Sequence, residues 1–484
     1  MRRLSVLFLS AVLLAGCGSS SGSKQTATPG SRTPGGASVA PLSTPFLLRL
    51  NTAFDSPQWQ AFDRLLRKFP DGTKLYSSFA GQGVNFDKDV KPALGPETDL
   101  LALTLDDLSS GAFLGLTQPE SEAKLLALLA KNDSTPSVSE QIADWQVIAD
   151  ERPTIDRFKQ ARNEGVLSVS PAYKEAMAEL PANALATVYV NGNVLTRAIA
   201  RQSKTTPGPV PGFGRIAWLS GALTAQSGGL ALDFRVKGDE LTVSPFTAEL
   251  PAEVPAGLSL FVDFKGLDAA LEQLKRSPAL QKQLGSAEQA LGGLLDEAIG
   301  LFKNEGAVYI RPEATGNEYT LVLKVDDEAA AGATLDKLGT LLGAFTQKAP
   351  EQVDVAGVSA KKITVGKGAV YYAVFDGKLV VTNAEGAIRG LRGGGRRLAD
   401  SQAWQDVTTS AELPDQTAGI FYADVPKLLP LVEQLQASSG SGSGSGSKPL
   451  SSEARRNLAP LGTVLLYGAV NGNVGTAKGF VSVR

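Results

Sequence analysis

Histidine occurs nowhere in the 484 residues, and cysteine occurs once, as Cys17. The first absence removes the side chain that most often serves as general base or holds a catalytic transition metal near neutral pH. Ser-His-Asp and Cys-His catalysis are excluded, and so are zinc sites built from histidine and cysteine, because one thiol cannot complete the ligand set. A basic excess is lacking too: 47 Lys and Arg stand against 49 Asp and Glu, a formal charge of −2. Such a chain has no surplus cation to neutralise phosphates, so no nucleic-acid partner is expected. After the first residues no apolar run reaches bilayer-spanning length. Carboxylate-only calcium or magnesium sites and paired-carboxylate catalysis stay open.

What is present begins with the targeting words. Met1-Arg2-Arg3 opens with positive charge, Leu4 to Leu14 is apolar, and Leu14-Ala15-Gly16-Cys17 looks like a bacterial lipobox. This predicts a signal peptide over residues 1–16, a diacylglyceryl group on the Cys17 thiol, and acylation of its amine. Two or three acyl chains hold firmly where one is marginal. Residues 17–41, nearly all Gly, Ser, Thr, Pro and Ala, read as the lipidated cysteine and a flexible tether. The expected location is the extracytoplasmic face of the cell membrane.

The body of the chain repeats itself. Leu180-Pro181-Ala182 leads into Thr187-Val188-Tyr189-Val190, Leu413-Pro414-Asp415 into Ile420-Phe421-Tyr422-Ala423, and Leu250-Pro251-Ala252 into Leu258 to Val262; a degenerate copy starts at Pro45. In each, β-branched and aromatic residues predict a strand, followed by a helical pattern and an antiparallel pair. Four such units imply a tandem duplication, with domains over 42–246 and 249–484 and an extra hairpin near Val353 to Val365 in the second. The Gly/Ser run 438–447 then falls inside the second domain as a loop. The fold class expected is α+β, two tandem duplicated domains with mainly antiparallel sheets flanked by helices.

These words resemble an uncharacterised family of bacterial, actinobacterial-type lipoproteins known only as a domain of unknown function. The resemblance rests on the lipobox, on the Leu-Pro-Ala lead-in to the Tyr189-Val190 strand, and on Tyr372-Ala373-Val374-Phe375-Asp376-Gly377-Lys378-Leu379-Val380-Val381-Thr382-Asn383. It implies fold and location, and no catalytic residue or cofactor.

Residues with chemistry have structural readings beside functional ones. Asp326-Asp327-Glu328 precedes a helical stretch and reads as a cap rather than a metal site. Arg389, Arg392, Arg396 and Arg397 around Gly393-Gly394-Gly395 could contact an anion, in lipid or wall polymer, or form a solvated helix face. Trp59, Tyr173 and Trp404 recur in similar words and read as packing anchors. Asn191-Gly192-Asn193, Asp376-Gly377 and Asn471-Gly472 read as turns. The function expected is non-catalytic binding or scaffolding by a lipid-anchored envelope protein, with an envelope protein, wall polymer or lipid as partner. The alternatives are a carrier of an apolar, lipid-like ligand and a carboxylate-dependent hydrolase.

Overall fold

A computed structural model describes residues 35–80, 83–131, 137–203, 208–210, 213–241, 244–275, 293–314, 316–366, 368–439 and 450–484. Its strands in chain order are β1 (Phe46–Asn51), β2 (Glu97–Ala102), β3 (Leu114–Thr117), β4 (Val138–Ile142), β5 (Trp145–Ala149), β6 (Ala186–Asn191), β7 (Ile216–Gln226) and β8 (Gly229–Gly238) in the first half. The second half adds β9 (Leu260–Lys265), β10 (Glu305–Glu313), β11 (Gly316–Lys324), β12 (Glu351–Val355), β13 (Val358–Val365), β14 (Gly368–Phe375), β15 (Lys378–Thr382), β16 (Ile420–Asp424), β17 (Leu461–Asn471) and β18 (Val474–Val483). All 18 lie in one sheet.

Every pairing is antiparallel, and followed from edge to edge the pairs run β4-β5-β3-β2-β1-β6-β7-β8, then β18-β17-β16-β9-β10-β11-β15-β14-β13-β12. The second list is the first in reverse, strand for strand, with the hairpin β12–β13 added at the end. The duplication read from sequence is thus a two-fold relation within one sheet. Its axis passes between β8 and β18. Equivalent turns deliver Gly229 and Val474 as the first residues of these strands, and the register pairs Gly229 with Ser482, Lys237 with Val474, and Asp233 with Lys478. Asp233 therefore faces its own counterpart, and the C-terminal strand joins the two halves.

Side chains alternate across the sheet. On one face sit Leu47, Leu101, Tyr189 and Trp218 of the first half and Phe261, Tyr309, Tyr422 and Leu465 of the second, all fully buried. Helices Arg152–Arg162 and Pro171–Met177, and their counterparts Glu385–Arg392 and Gln402–Ser410, pack on this sealed face. The recurring aromatic words explain how. Ser170 and Ser401 accept hydrogen bonds from the Tyr173 and Trp404 amides, each at 3.4 Å, and so cap the helices. The capped helices lay Tyr173 against Tyr189 and Trp404 against Tyr422, with ring centroids 5.2 and 5.4 Å apart. Trp59 anchors differently: its indole N–H donates to the Asn51 carbonyl at 2.6 Å, and the ring stays partly exposed.

Two local expectations change. Residues 35–41, read as the end of a tether, belong to the core: Ala37 and Ala40 are fully buried, and the Leu42 amide bonds Gly165. Their small size serves close approach, since a Cβ on Gly36 would lie 2.2 Å from Asp99 Oδ2. Asn191-Gly192-Asn193 opens the helix Gly192–Ser203 instead of a turn, with Asn191 Oδ1 accepting from the Asn193 amide at 3.1 Å. Asp376-Gly377 and Gly472 do form turns with positive φ, as hairpins of two-residue loops require. Residues 440–449 of the Gly/Ser run lie outside the described residues.

Candidate functional site

The sealed face carries enclosed charged side chains, and among them each half has an equivalent station. In the first, Arg49 Nε lies 3.0 Å from Glu97 Oε1 and 3.5 Å from the fully buried Asp99. Glu97 also accepts the Gly36 N–H at 2.9 Å, tying the lead-in segment to β2. In the second, Glu305 accepts the amides of Glu249 and Leu250 at 2.7 and 2.8 Å, which ties the second lead-in segment to β10. Lys324 reaches Glu305 at 3.3 Å and Glu253 at 2.9 Å, and pairs with Glu249 as well. Burial, with the neighbouring Glu305 adding to it, pushes the Asp263 carboxyl up to about 9. Burial likewise pushes Asp99 up to about 8, with Arg49 opposing. Fully buried Glu318 pairs with the partly exposed Arg311 at 2.6 Å.

These stations hold backbone rather than present reactive groups to solvent. Asp263 and Glu305 are 1% and 5% exposed. Sequence reading passed over them; the available signal was a charge on the apolar alternation of a strand, at Arg49 and Asp263.

The residues singled out by sequence are placed as follows. Cys17 and the lipobox residues Leu14, Ala15 and Gly16 lie outside the described residues. Arg389 pairs with Glu385 at 2.6 Å, Arg392 donates to the Gly357 carbonyl, and Arg396 donates to the Asp400 carbonyl. Arg397 is a backbone staple: its guanidinium donates to the carbonyls of Glu253, Gly390 and Gly393. The four do not converge on one anion site. Asp327 caps the helix Glu328–Thr346, accepting the Ala329 and Ala330 amides at 2.9 and 3.0 Å. Among the described residues no group of acidic side chains is arranged to hold a metal ion, and no helix is long and apolar enough to cross a membrane.

The other face of the sheet differs in kind. From β3 across to β11 its side chains are Leu, Val, Ile, Phe, Ala, Gly, Pro, Tyr, Thr and Asn, with no Asp, Glu, Lys or Arg among them. Helix Glu328–Thr346 seals it at the β13–β15 end through Leu335, Ile363 and Tyr372, and helix Pro57–Leu66 covers β7 through Leu65 and Ala225. Between them the apolar residues are only partly covered: Leu48, Leu100 and Val188 in the first half, Val262, Leu321 and Phe421 in the second. Val308 and Tyr319 are 39% and 44% exposed. Half-exposed apolar side chains on adjacent strands make a contiguous surface of the kind that marks binding sites.

A family model described as a protein of unknown function (DUF3352) matches residues 122–456. The chain belongs to this family. The DUF3352 match runs from the helix before β4 to the helix before β17, and its description names no activity. Among solved structures, crystal forms I, IV and III of TP0453 are similar at 11% identity and a TM-score of 0.24. Each comparison covers 42% of this DUF3352 chain and 80 to 82% of TP0453. No curated protein matches.

Proposed function

We propose that this DUF3352 protein is a lipid-anchored component of the extracytoplasmic face of the cell membrane with a non-catalytic binding role. The observation that carries the binding role is the uncharged, partly open face of the sheet. It offers apolar area to a partner and no carboxylate, amine or guanidinium. The anchor is supported by the Leu14-Ala15-Gly16-Cys17 words and the small, polar stretch that follows them. A carboxylate-dependent hydrolase would need its acid and base at a solvent-filled cleft, whereas Asp263 and Glu305 are enclosed and Glu305 holds backbone amides.

Growth with radiolabelled palmitate tests the anchor. The wild-type chain should incorporate label and the Cys17→Ser variant should not. Label on the Ser variant, or none on the wild type, overturns the anchored reading.

A further inference from the structure

We infer that the uncharged face of the sheet binds the acyl chains of individual lipid molecules. The inference rests on the binding role proposed above and names its ligand class.

Three observations commit the face to this occupant. The first is chemical. Protein interfaces carry about one hydrogen bond per 100–200 Å², but here the backbone is already paired within the sheet and the side chains from β3 to β11 include no charge. The Thr98 and Thr117 hydroxyls bond to each other at 3.4 Å. A protein partner would leave its own polar groups without partners on such a surface, whereas an acyl chain has none to satisfy.

The second is size. Residues of one face are spaced roughly 6.8 Å apart along a strand, so Phe46, Leu48 and Leu50 of β1 line about 14 Å of track. The acyl part of one leaflet, half of a hydrocarbon core of about 30 Å, is about 15 Å long. Leu260, Val262 and Phe264 of β9 repeat the track at the two-fold related position.

The third is access. Helices Gly192–Ser203 and Val425–Ser439 lie over this face, on β6–β7 and on β16–β17. Their own apolar residues Val194, Leu195, Leu428 and Leu429 are only partly covered. Because they contact β6–β7 and β16–β17, these helices stand in the way of a flat bilayer or the sheet of a second copy on those strands.

The test uses the full chain carrying Cys17→Ser, so that no acyl group of its own competes, titrated with the fluorescent fatty acid cis-parinaric acid. Saturable binding is expected. Val308→Asp and Val262→Asp should each weaken it tenfold or more, and Val308, already 39% exposed, should keep the wild-type melting temperature. Absence of saturable binding, or unchanged binding in the folded variants, overturns the inference. Should either variant fail to fold, photolabelling of the unsubstituted face with a diazirine-bearing fatty acid decides. Label on Val262, Val308 and Phe421 supports the inference; label confined to the alternate residues Phe261, Tyr309 and Tyr422 overturns it. Co-sedimentation with phosphatidylglycerol vesicles without parinarate binding also overturns it, in favour of adsorption to a surface, and leaves the binding role standing. The palmitate experiment fails or succeeds independently of all these readouts.

Discussion

The two halves solve one problem with different residues. Leu47 pairs with Leu101 in the first and Phe261 with Tyr309 in the second, which makes Arg49 equivalent to Asp263, Glu97 to Glu305, and Asp99 to Ala307. Glu97 and Glu305 keep the same task, each accepting backbone amides of the segment that leads into its half. The cation that balances them has moved. In the first half it stands on β1 as Arg49, between two carboxylates; in the second, β9 carries Asp263 in its place, and Lys324 reaches in from β11. The fold requires the carboxylate that ties the lead-in segment, while the source of its counter-charge is free to drift. Buried charge persists in both because removing one partner leaves the other unpaired in low dielectric.

The widest break in this comparison comes from stopping the chain after Ser447, which deletes β17 and β18. That uncovers the edges of β8 and β16 and removes Leu465, Tyr467 and Phe480 from the core. Limited proteolysis should find no stable product; a compact, soluble truncation would show that the halves fold without their join. Next is Lys324→Met, which strips the counter-charge from Glu305 and Glu249 and leaves Glu253 to Lys378 alone. A loss of about 3 kcal/mol is expected by urea denaturation. A loss below about 1 kcal/mol would place Lys324 among ordinary surface pairs.

Smaller again is Glu97→Gln. It keeps an acceptor for the Gly36 N–H but loses the charge opposite Arg49, at about 1 kcal/mol. Asp263→Asn is expected to stabilise rather than destabilise, and its signature is a slope. Burial holds Asp263 protonated up to about 9 in the folded chain, against about 3.9 unfolded. The native state therefore binds the extra proton. The stability this contributes is complete below about pH 4 and declines as pH rises through about 9, by at most about 1.4 kcal/mol per pH unit. The Asn variant should match the wild type below about pH 4 and exceed it by a margin that grows as pH rises toward 9. Parallel pH profiles would mean that Asp263 is ionised throughout.

Much of the fold could be read from local words. Ser170 to Tyr173 and Ser401 to Trp404 are capping signals, and both caps form. The strand, helix and antiparallel-pair units stand where the repeat put them, including the additional hairpin β12–β13. Misreadings share a cause. Gly35 to Pro41 is composed like a leash, but its small residues fit under Asp99 and Glu97, partners more than 55 residues away. Asn191-Gly192 has turn chemistry, yet the same side-chain acceptor serves equally as a helix cap. The buried stations were illegible because a single charge in a strand pattern does not reveal which strand will supply its partner.

The sequence alone settled element type, the turns, the caps and the duplication, because these depend on side-chain size, dihedral preference and hydrogen bonds within a few residues. Tertiary structure alone decided that the halves share one sheet through β8 and β18, since that register joins residues such as Asp233 and Lys478 from opposite ends of the duplicated body. It also decided which face is sealed. Composition alone would seal the uncharged face and expose the one that carries Arg49, Glu97 and Asp263, whereas the helices pack on the charge-bearing face and leave the other partly uncovered.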